Sequence, residues 1–518
     1  GTSGARIPGA SSENSLTTDS DIAHVFYGST RLYFKMWLSG QDILDGYFDE
    51  VEITTYLDTS RNPENNALFE SLIQPDRRYP VYGDLSEEVA DVEAQGKFYL
   101  LIEADESQAR WGSFNSGIVG GQLMHYERTL EGAQILFDDT LGERFDMEAR
   151  LHWADDENSL RHAVDVLRGT GGSLYYLRYN DIIEGSEQIS LVVRDRNSGL
   201  ELYRQSLGRN ADYTIRYAEG RVFLMSPLPT SVDSRFITST TSTSRDLIDG
   251  HEMYLEVSYD YESDQLFGGN ALGAYASETF DDWLEVGVGY VSESRADNSD
   301  PSYHMWGINA AATYGEATGM NVEFSRSANV DTQALSSDDG GLTYQSFNIL
   351  DEGEEVEGTG LIVSGHAEIS DFLPEREEPL LYVGGYLHDI DPNFHSAGSI
   401  MDQGSTRFGF EAHAELIERS SLRFQHDGSH SVYDLVDDDL IGRREIHRQS
   451  TLSQYQYTAP DLRLVMEYGH TFWDDSLEED GYHTDLTAIG LSIDPTADLT
   501  LSIDQELIIR SDDPHVIR

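Results

Sequence analysis

Asp281–Tyr314 reads DDWLEVGVGYVSESRADNSDPSYHMWGINAAATY, two extended-looking runs around an acidic loop. In the first run Leu284, Val286, Val288 and Tyr290 fall on one side of an extended chain, with Glu285, Gly287 and Gly289 on the other. In the second, Trp306, Ile308, Ala310, Ala312 and Tyr314 alternate with Gly307, Asn309, Ala311 and Thr313. Successive strand side chains point to opposite faces, so each run has one apolar face and one small or polar face. A strand with lipid on one side and water on the other has this pattern. So does an amphipathic strand of a soluble sandwich, and recurrence has to decide between them.

The pattern recurs. Outward from the opening stretch, MNVEFSRSA sets Met320, Val322 and Phe324 against Asn321, Glu323 and Ser325. GLIVSGHAEIS sets Val363, Ala367 and Ile369 against Ser364, His366 and Glu368. RFGFEAHAELIE puts Phe408, Phe410, Ala412, Ala414 and Leu416 on one face and Arg407, Glu411, His413 and Glu415 on the other. Counting MYLEVSYDY, SLRFQHDG, STLSQYQYT, DLRLVMEYGHTF, TDLTAIGLSI and DLTLSIDQELII, about fourteen candidate strands follow residue 250. Most have the ~9–13 residues a tilted membrane strand requires. Short turns such as 314–319 alternate with acidic loops such as SSDDGG and VDDDL, the asymmetry expected of an outer-membrane barrel.

Toward the N-terminus, residues 1–20 are small and polar and read as a linker or disordered lead-in. From Tyr27 strands begin: RLYFKMWL, VEITTYLD and, after an excursion over 59–92 whose NALFESLI suits a short helix, GKFYLLIEA, ARWGSFNSGI, QLMHYERTL, GAQILFDD and FDMEARLHW. Residues 169–229 differ. Ile189, Leu191 and Val193 share a face, as do Tyr213, Ile215 and Tyr217, without small residues opposite. Asn197-Ser198-Gly199 and Glu219-Gly220 supply turns, and Pro227 and Pro229 close the segment. The expected organisation is a lead-in (1–20), a first barrel or meander part (21–168), an inserted Ig-like β-sandwich module (169–229), and the main transmembrane strands (230–518).

Composition narrows the function. With 94 acidic residues against 34 basic ones the formal charge is −60, and the lysines are Lys35 and Lys97. Such a surface repels nucleic-acid phosphates, which excludes nucleic acid as a partner; solvated carboxylates are the plainer reading of the charge itself. There is no cysteine, which removes disulfides and thiol chemistry. No run reaches the ~18 apolar residues of a membrane helix, and a mean hydropathy of −0.45 is compatible with a barrel, half of whose strand residues are polar. The chain opens GTSGARIPGASSENS and ends SDDPHVIR, so a processed chain or a piece of a longer one is expected.

YPVYGDLSEEVADVEAQGKFYLLIEADESQARWGSFNSGI (79–118), running on into LMHYERTLEGAQILF, resembles a recurrent block of very large outer-membrane proteins of Gram-negative bacteria. GTGGSLYYLRYNDIIEGSEQISLVVRDRNSGLELYRQSL and DYTIRYAEGRVFL resemble the segment that follows that block, and more distantly an element of the giant translocon barrel of type IX secretion. The resemblance covers about 79–229. It implies an outer-membrane location and carries no catalytic residues across.

No enzyme motif is present: no HExxH, Walker A loop or GxSxG elbow. Gly169-Thr170-Gly171-Gly172 lacks a strand–helix context and reads as a turn. Asp389, Asp391 and Asn393 occupy the first ligand positions of a calcium-type loop, but Phe394 replaces its glycine and Ile400 its bidentate glutamate, so a solvated turn is the better reading. Loose surface calcium is otherwise conceivable only at the acidic loops around Asp437–Asp439 and Asp474–Asp480; no other cofactor is expected. The polar strand faces collect Glu285, Glu323, His366, Glu368, Arg407, Glu411, His413, Glu415 and Arg423, a charge set that would line a cation-preferring pore or pair internally. Tyr290, Trp306, Tyr314 and Tyr468 suit an interfacial girdle. These features point to a non-enzymatic outer-membrane β-barrel acting as a pore, translocation channel or envelope scaffold, with membrane lipid and a threaded or anchored envelope protein as partners. The alternative is a cell-surface adhesin or glycan-binding protein built of soluble β domains.

Overall fold

The computed structural model describes residues 5–6, 27–28, 31–39, 48–58, 98–140, 145–156, 160–195, 198–232, 251–262, 269–281, 283–295, 302–315, 317–329, 334–346, 356–373, 380–396, 400, 402–417, 419–437, 440–476, 481–496 and 499–511. All of the excursion over 59–97, including NALFESLI, most of the lead-in over 1–20, and the acidic residues 438–439 and 477–480 lie outside them.

One antiparallel sheet takes up most of the described residues. Its strands are β1 (Arg31–Ser39), β2 (Glu50–Asp58), β3 (Phe98–Ala104), β4 (Ser107–Asn115), β5 (Thr129–Thr140), β6 (Phe145–Asp156), β7 (Gly269–Phe280), β8 (Leu284–Arg295), β9 (Tyr303–Tyr314), β10 (Thr318–Ala328), β11 (Glu357–Glu368), β12 (Leu381–Ile390), β13 (Ser405–Ile417), β14 (Ser420–Asp437), β15 (Leu440–Ala459), β16 (Leu462–Asp475), β17 (Tyr482–Thr496) and β18 (Leu499–Ser511). Each strand registers against the next in an eighteen-stranded meander. A twelve-residue strand spans about 40 Å, or about 28 Å when tilted by 45°. The helical segments of the described residues are short 3-10 turns, among them Tyr217–Glu219 and Ile369–Phe372, and no helix among them is long and apolar enough to cross a membrane.

Residues opposite one another in an antiparallel ladder share a face, so the registers extend the sequence alternation across the sheet. One row runs Leu151, Ala274, Tyr290, Trp306 and Arg326; the next on that face runs Ala149, Ala276, Val288, Ile308, Phe324 and Leu361. Large apolar side chains of this face stand exposed, among them Val288 (56%), Ile308 (51%), Phe410 (49%) and Ile503 (72%). The opposite face carries Gly287, Asn309, Glu323, Ile362, His388 and Arg407 in one row, and there Glu323, Ile362, His388 and Arg407 are buried. The polarity is inverted relative to a water-soluble sheet, which hides its apolar face.

The two ends of the sheet are unequal. Connections that follow odd-numbered strands are mostly short, such as residues 105–106 after β3 and 460–461 after β15. Those that follow even-numbered strands include 59–97, 116–128, 157–268, 329–356 and 391–404, and they all leave from the same end.

From this end comes a second, seven-stranded sheet. His251–Glu262 pairs with Gln188–Arg194 and Leu160–Arg168; Glu201–Ser206, Ser231–Val232, Ala334–Ser337 and Gln345–Ser346 complete it. A three-stranded sheet of Leu174–Tyr176, Arg221–Leu224 and Tyr213–Arg216 shares its core: Leu167, Ile189, Val193, Leu255, Val257 and Tyr259 pack with Tyr175, Tyr213, Val222 and Leu224. The expected turns are in place. Gly220 takes φ 58 after Tyr217–Glu219, where an added Cβ would lie 2.3 Å from the Tyr179 carbonyl oxygen. Gly199 takes φ +71 beside Ser198, whose N–H and hydroxyl both donate to Asp195.

The hydrogen bonds draw this module more widely than 169–229. Leu160–Arg168 and His251–Glu262, expected among the barrel strands, belong to it, and the SSDDGG loop follows a strand that adds to its edge in parallel. QLMHYERTL also divides: Met124–Tyr126 forms a hairpin with Ile118–Gly120, and β5 starts at Thr129.

Leu255 is wholly buried in the module core, so Leu255→Ala should destabilise the module by about 2–5 kcal/mol. Urea titration read out by proteolysis within 160–262 checks this, with cleavage expected at lower urea while the large sheet keeps its resistance.

Candidate functional site on the polar face of the sheet

The register puts Glu285, Glu323, His366, Glu368, Arg407, Glu411, His413, Glu415 and Arg423 on the same face. Glu323 and Ile362 are opposed, as are Glu368 and Tyr382, Tyr382 and His413, and His413 and Arg423. Their surroundings divide them in two. Toward the end with long connections the residues are covered; toward the short turns Glu285, His413 and Glu415 are exposed.

Two bodies do the covering. The first is the hairpin between β4 and β5. Ile118, Met124 and Tyr126 pack on Tyr275, Val291, Tyr303 and Met305 of the sheet, and Leu123 packs on Ile362, Ile390 and Phe394. Small residues on both sides make this possible: a Cβ on Gly120 would meet the Tyr275 ring at 2.3 Å, and one on Gly289 the Met124 methyl at 2.6 Å. Glu323 accepts the Leu123 N–H at 3.0 Å and an Asn321 amide N–H at 2.9 Å, so this candidate pore residue holds the hairpin's turn. Arg128, which follows the hairpin, bonds Glu293 of β8 at 2.5 Å and lies 3.6 Å from Asp260 of the module.

The second body is the module, docked through Asp402. This carboxylate, 1% exposed, accepts from Arg194 of the module and is paired with Arg407 of β13, both at 2.6 Å. Gln122 of the hairpin donates to it at 2.8 Å, and Arg407 also donates to the Gly199 carbonyl at 2.8 Å. Burial alone would raise the Asp402 pKa, but the two guanidiniums hold it down at about 2. Module, hairpin, loop and sheet thus meet at one charge. Beside them a cavity of about 20 Å³, room for one water, is lined by Tyr126, Arg128, His162, His395 and Gln403 among others.

The remaining candidates have local duties. Glu368 accepts the N–H groups of Ser370, Leu380 and Leu381 and shapes the turn between β11 and β12. His366 stacks on Tyr382 at 5.9 Å, His413 lies 3.9 Å from Glu415, and Arg423 donates to Gln425. Glu411 bonds Tyr382. Of the calcium-like trio, Asp389 accepts the Thr406 hydroxyl, Asp391 accepts the N–H and hydroxyl of Thr359, and Asn393 packs its backbone against Gly358. Phe394 and Ile400, which break that motif, are buried core residues. Tyr290, Trp306, Tyr314 and Tyr468 are all exposed on the apolar face; Tyr290 and Trp306 are opposed near the long-connection end, while Tyr314 stacks on Phe372 at the short-turn end.

No family model matches the chain, and no curated protein does. Among solved structures it is similar to one titled "Crystal structure of Usher PapC translocation pore", at 10% identity and a TM-score of 0.22, over 93% of this chain and 92% of that chain. At that score the likeness carries no argument about fold or activity.

Inside the module Asp165 is completely buried. Burial pushes its carboxyl up to about 6, against hydrogen bonds from the Arg178 N–H and the Tyr259 and Tyr344 hydroxyls. The two aspartates give opposite pH dependences. Asp165, raised, favours the folded module below its ordinary pKa of 3.8, and that contribution is lost as pH rises through about 6. Asp402, lowered, favours docking above 3.8, and that contribution is lost as pH falls toward about 2. The module should therefore stay docked at pH 4–5 and detach only below that range, as read by distances between spin labels on module and sheet. Asp402→Ala, which strands two buried guanidiniums, should weaken docking by about 3–5 kcal/mol even at neutral pH.

Proposed function

We propose that this chain is a non-enzymatic outer-membrane β-barrel whose lumen is filled at one mouth by its own hairpin and inserted module: a plugged pore or translocation channel. The observation that carries this reading is the inverted polarity of the sheet. An exposed apolar face running across adjacent strands far exceeds the patches a soluble monomer tolerates, whereas lipid requires it. Closure of β1 against β18 is part of the proposal. It would leave no strand edge unpaired, as a membrane-spanning sheet needs, and it takes one further pairing between the first and last strands of the meander. The inequality of the two ends and the aromatic residues on the apolar face support the same reading, as does the resemblance of 79–229 to large outer-membrane proteins.

In this reading the short-turn end is an open vestibule lined by Glu285, Glu411, His413 and Glu415. Displacement of the module, hinged on the Arg194–Asp402–Arg407 cluster, would open the path.

The test is single-channel recording in planar bilayers. The native protein should extract only with detergent and give rare openings; Asp402→Ala should raise open probability, and reversal potentials should report cation preference. Frequent large conductance in the native protein would remove the plug, anion preference would remove the acidic vestibule, and recovery as a detergent-free monomer would replace the barrel with a soluble surface-binding protein. Ile308→Arg separates the environments independently. A lipid-facing position near mid-membrane should lose about 2–4 kcal/mol, and a water-facing one about 0.5 kcal/mol or less, measured by urea unfolding in liposomes.

A further inference from the structure

The hairpin of β14 and β15 carries a cluster that neither the sequence motifs nor the plug accounts for. His430 and His447 are directly opposed in the register, with parallel rings and centroids 4.2 Å apart. Glu445 lies two residues before His447 and so on the same face. One ligand atom from each of His430, Glu445 and His447 can be chosen so that all lie within 4.8 Å of one another. The Nε2 of His430 is buried and makes no hydrogen bond among the described residues, with a Glu445 carboxylate oxygen 3.9 Å away. A buried imidazole nitrogen without a bonding partner beside a carboxylate is an unusual thing to leave unsatisfied.

The cluster stands on the apolar face, one row beyond Phe408, Gly428, Gln449 and Phe472, toward the long-connection end. In its own row Thr406 precedes His430 and Asp474 follows His447. In the barrel reading this row is where the apolar band gives way to the outer surface.

We propose that His430, His447 and Glu445 form a binding site for a divalent d-block cation of the zinc class, stapling β14 to β15 at the outer rim. Two imidazoles and one carboxylate with an open fourth position is a recognised donor set for zinc. Imidazole donors select against calcium and magnesium, which take oxygen ligands. Modest side-chain rotation turns the two rings out of their parallel stack, so that their nitrogens converge with the Glu445 oxygen at the ~2.0–2.2 Å metal distances. Asp474, opposed to His447, stands at the register position from which a further oxygen ligand would come.

The experiment is calorimetric titration of the detergent-purified full chain with zinc chloride, with excess calcium and magnesium present. One site is expected above the background of weak carboxylate binding. His430→Ala and His447→Ala should each weaken it by at least about tenfold, a scale that even outer-shell changes reach, and Glu445→Gln should weaken it measurably. Should an alanine variant misfold, His430→Gln and His447→Gln replace it, since glutamine keeps the strand surface without the imidazole. Zinc should also protect the β14–β15 hairpin from proteolysis in the native protein and not in the variants. Unchanged affinity in both histidine variants, or displacement of zinc by calcium, would overturn the site. The barrel reading is unaffected by either result, because conductance and detergent dependence test it separately.

Discussion

Everything in this protein follows from a period of two held in register across many strands. A slip of one residue in any ladder would turn a row of Val, Ile and Phe to the side that holds Glu323 and Arg407, and would turn those charges to the other. The glycines and alanines opposite the bulky residues make room on the polar face. Gly289 accepts the hairpin, and Gly120 of the hairpin accepts the Tyr275 ring; larger residues there would hold the hairpin away and leave Glu323 without the Leu123 N–H it bonds. The alternation thus sets both the outer chemistry of the sheet and the volume available on its inner side.

What fills that volume is held by few but costly contacts. Asp402, Arg194 and Arg407 are buried charges, and their mutual attraction does little more than offset desolvation. Their value is specificity of placement: only one position of the module brings Arg194 and the Gly199 carbonyl to Asp402 and Arg407 together. The apolar surfaces of the hairpin supply adhesion, and the charges supply address. A body held this way can leave its seat without losing its own fold, because its core of Leu255, Val257, Tyr259 and Tyr175 is separate from the docking contacts.

Most strands of the large sheet are legible because they are long and alternate strictly, and the faces read from 284–290 and 407–416 are the faces found; Gly269–Phe280 and Leu381–Ile390 are not among the strands read from the sequence, their glycines and alanines blurring the contrast between faces. Module boundaries are less legible, for a physical reason. His251–Glu262 alternates Met253, Leu255, Val257, Tyr259 and Tyr261 with Glu252, Glu256 and Asp260, as a membrane strand does. Its polar side differs only in having partners, Arg168, Arg204 and His162, that are remote in sequence and therefore invisible to periodicity. The hairpin at 118–126 hid for another reason: its strands are three residues long, too short for a period to register, and only Gly117, Gly120 and Gly121 mark it. Asp402 had no local signal at all. It is one acid among 94, and its importance comes from two arginines more than two hundred residues and a few residues away.

Asp156 and Gly269 are opposed at the ends of β6 and β7, although more than a hundred residues lie between them. The chain therefore leaves the sheet and returns to it at a single point. A second such doorway, between the opposed Ala328 and Glu357, brackets the segment that gives the module Ala334–Ser337 and Gln345–Ser346. A body attached through two doorways of this kind behaves as a cassette: the ladder on either side is complete without it, and short hairpins could join the same strands. That arrangement lets the occupant of the interior change size, shape or chemistry over evolutionary time while the wall around it stays the same. It also decouples assembly, since the module can mature on a tether whose two ends are already fixed by adjacent strands.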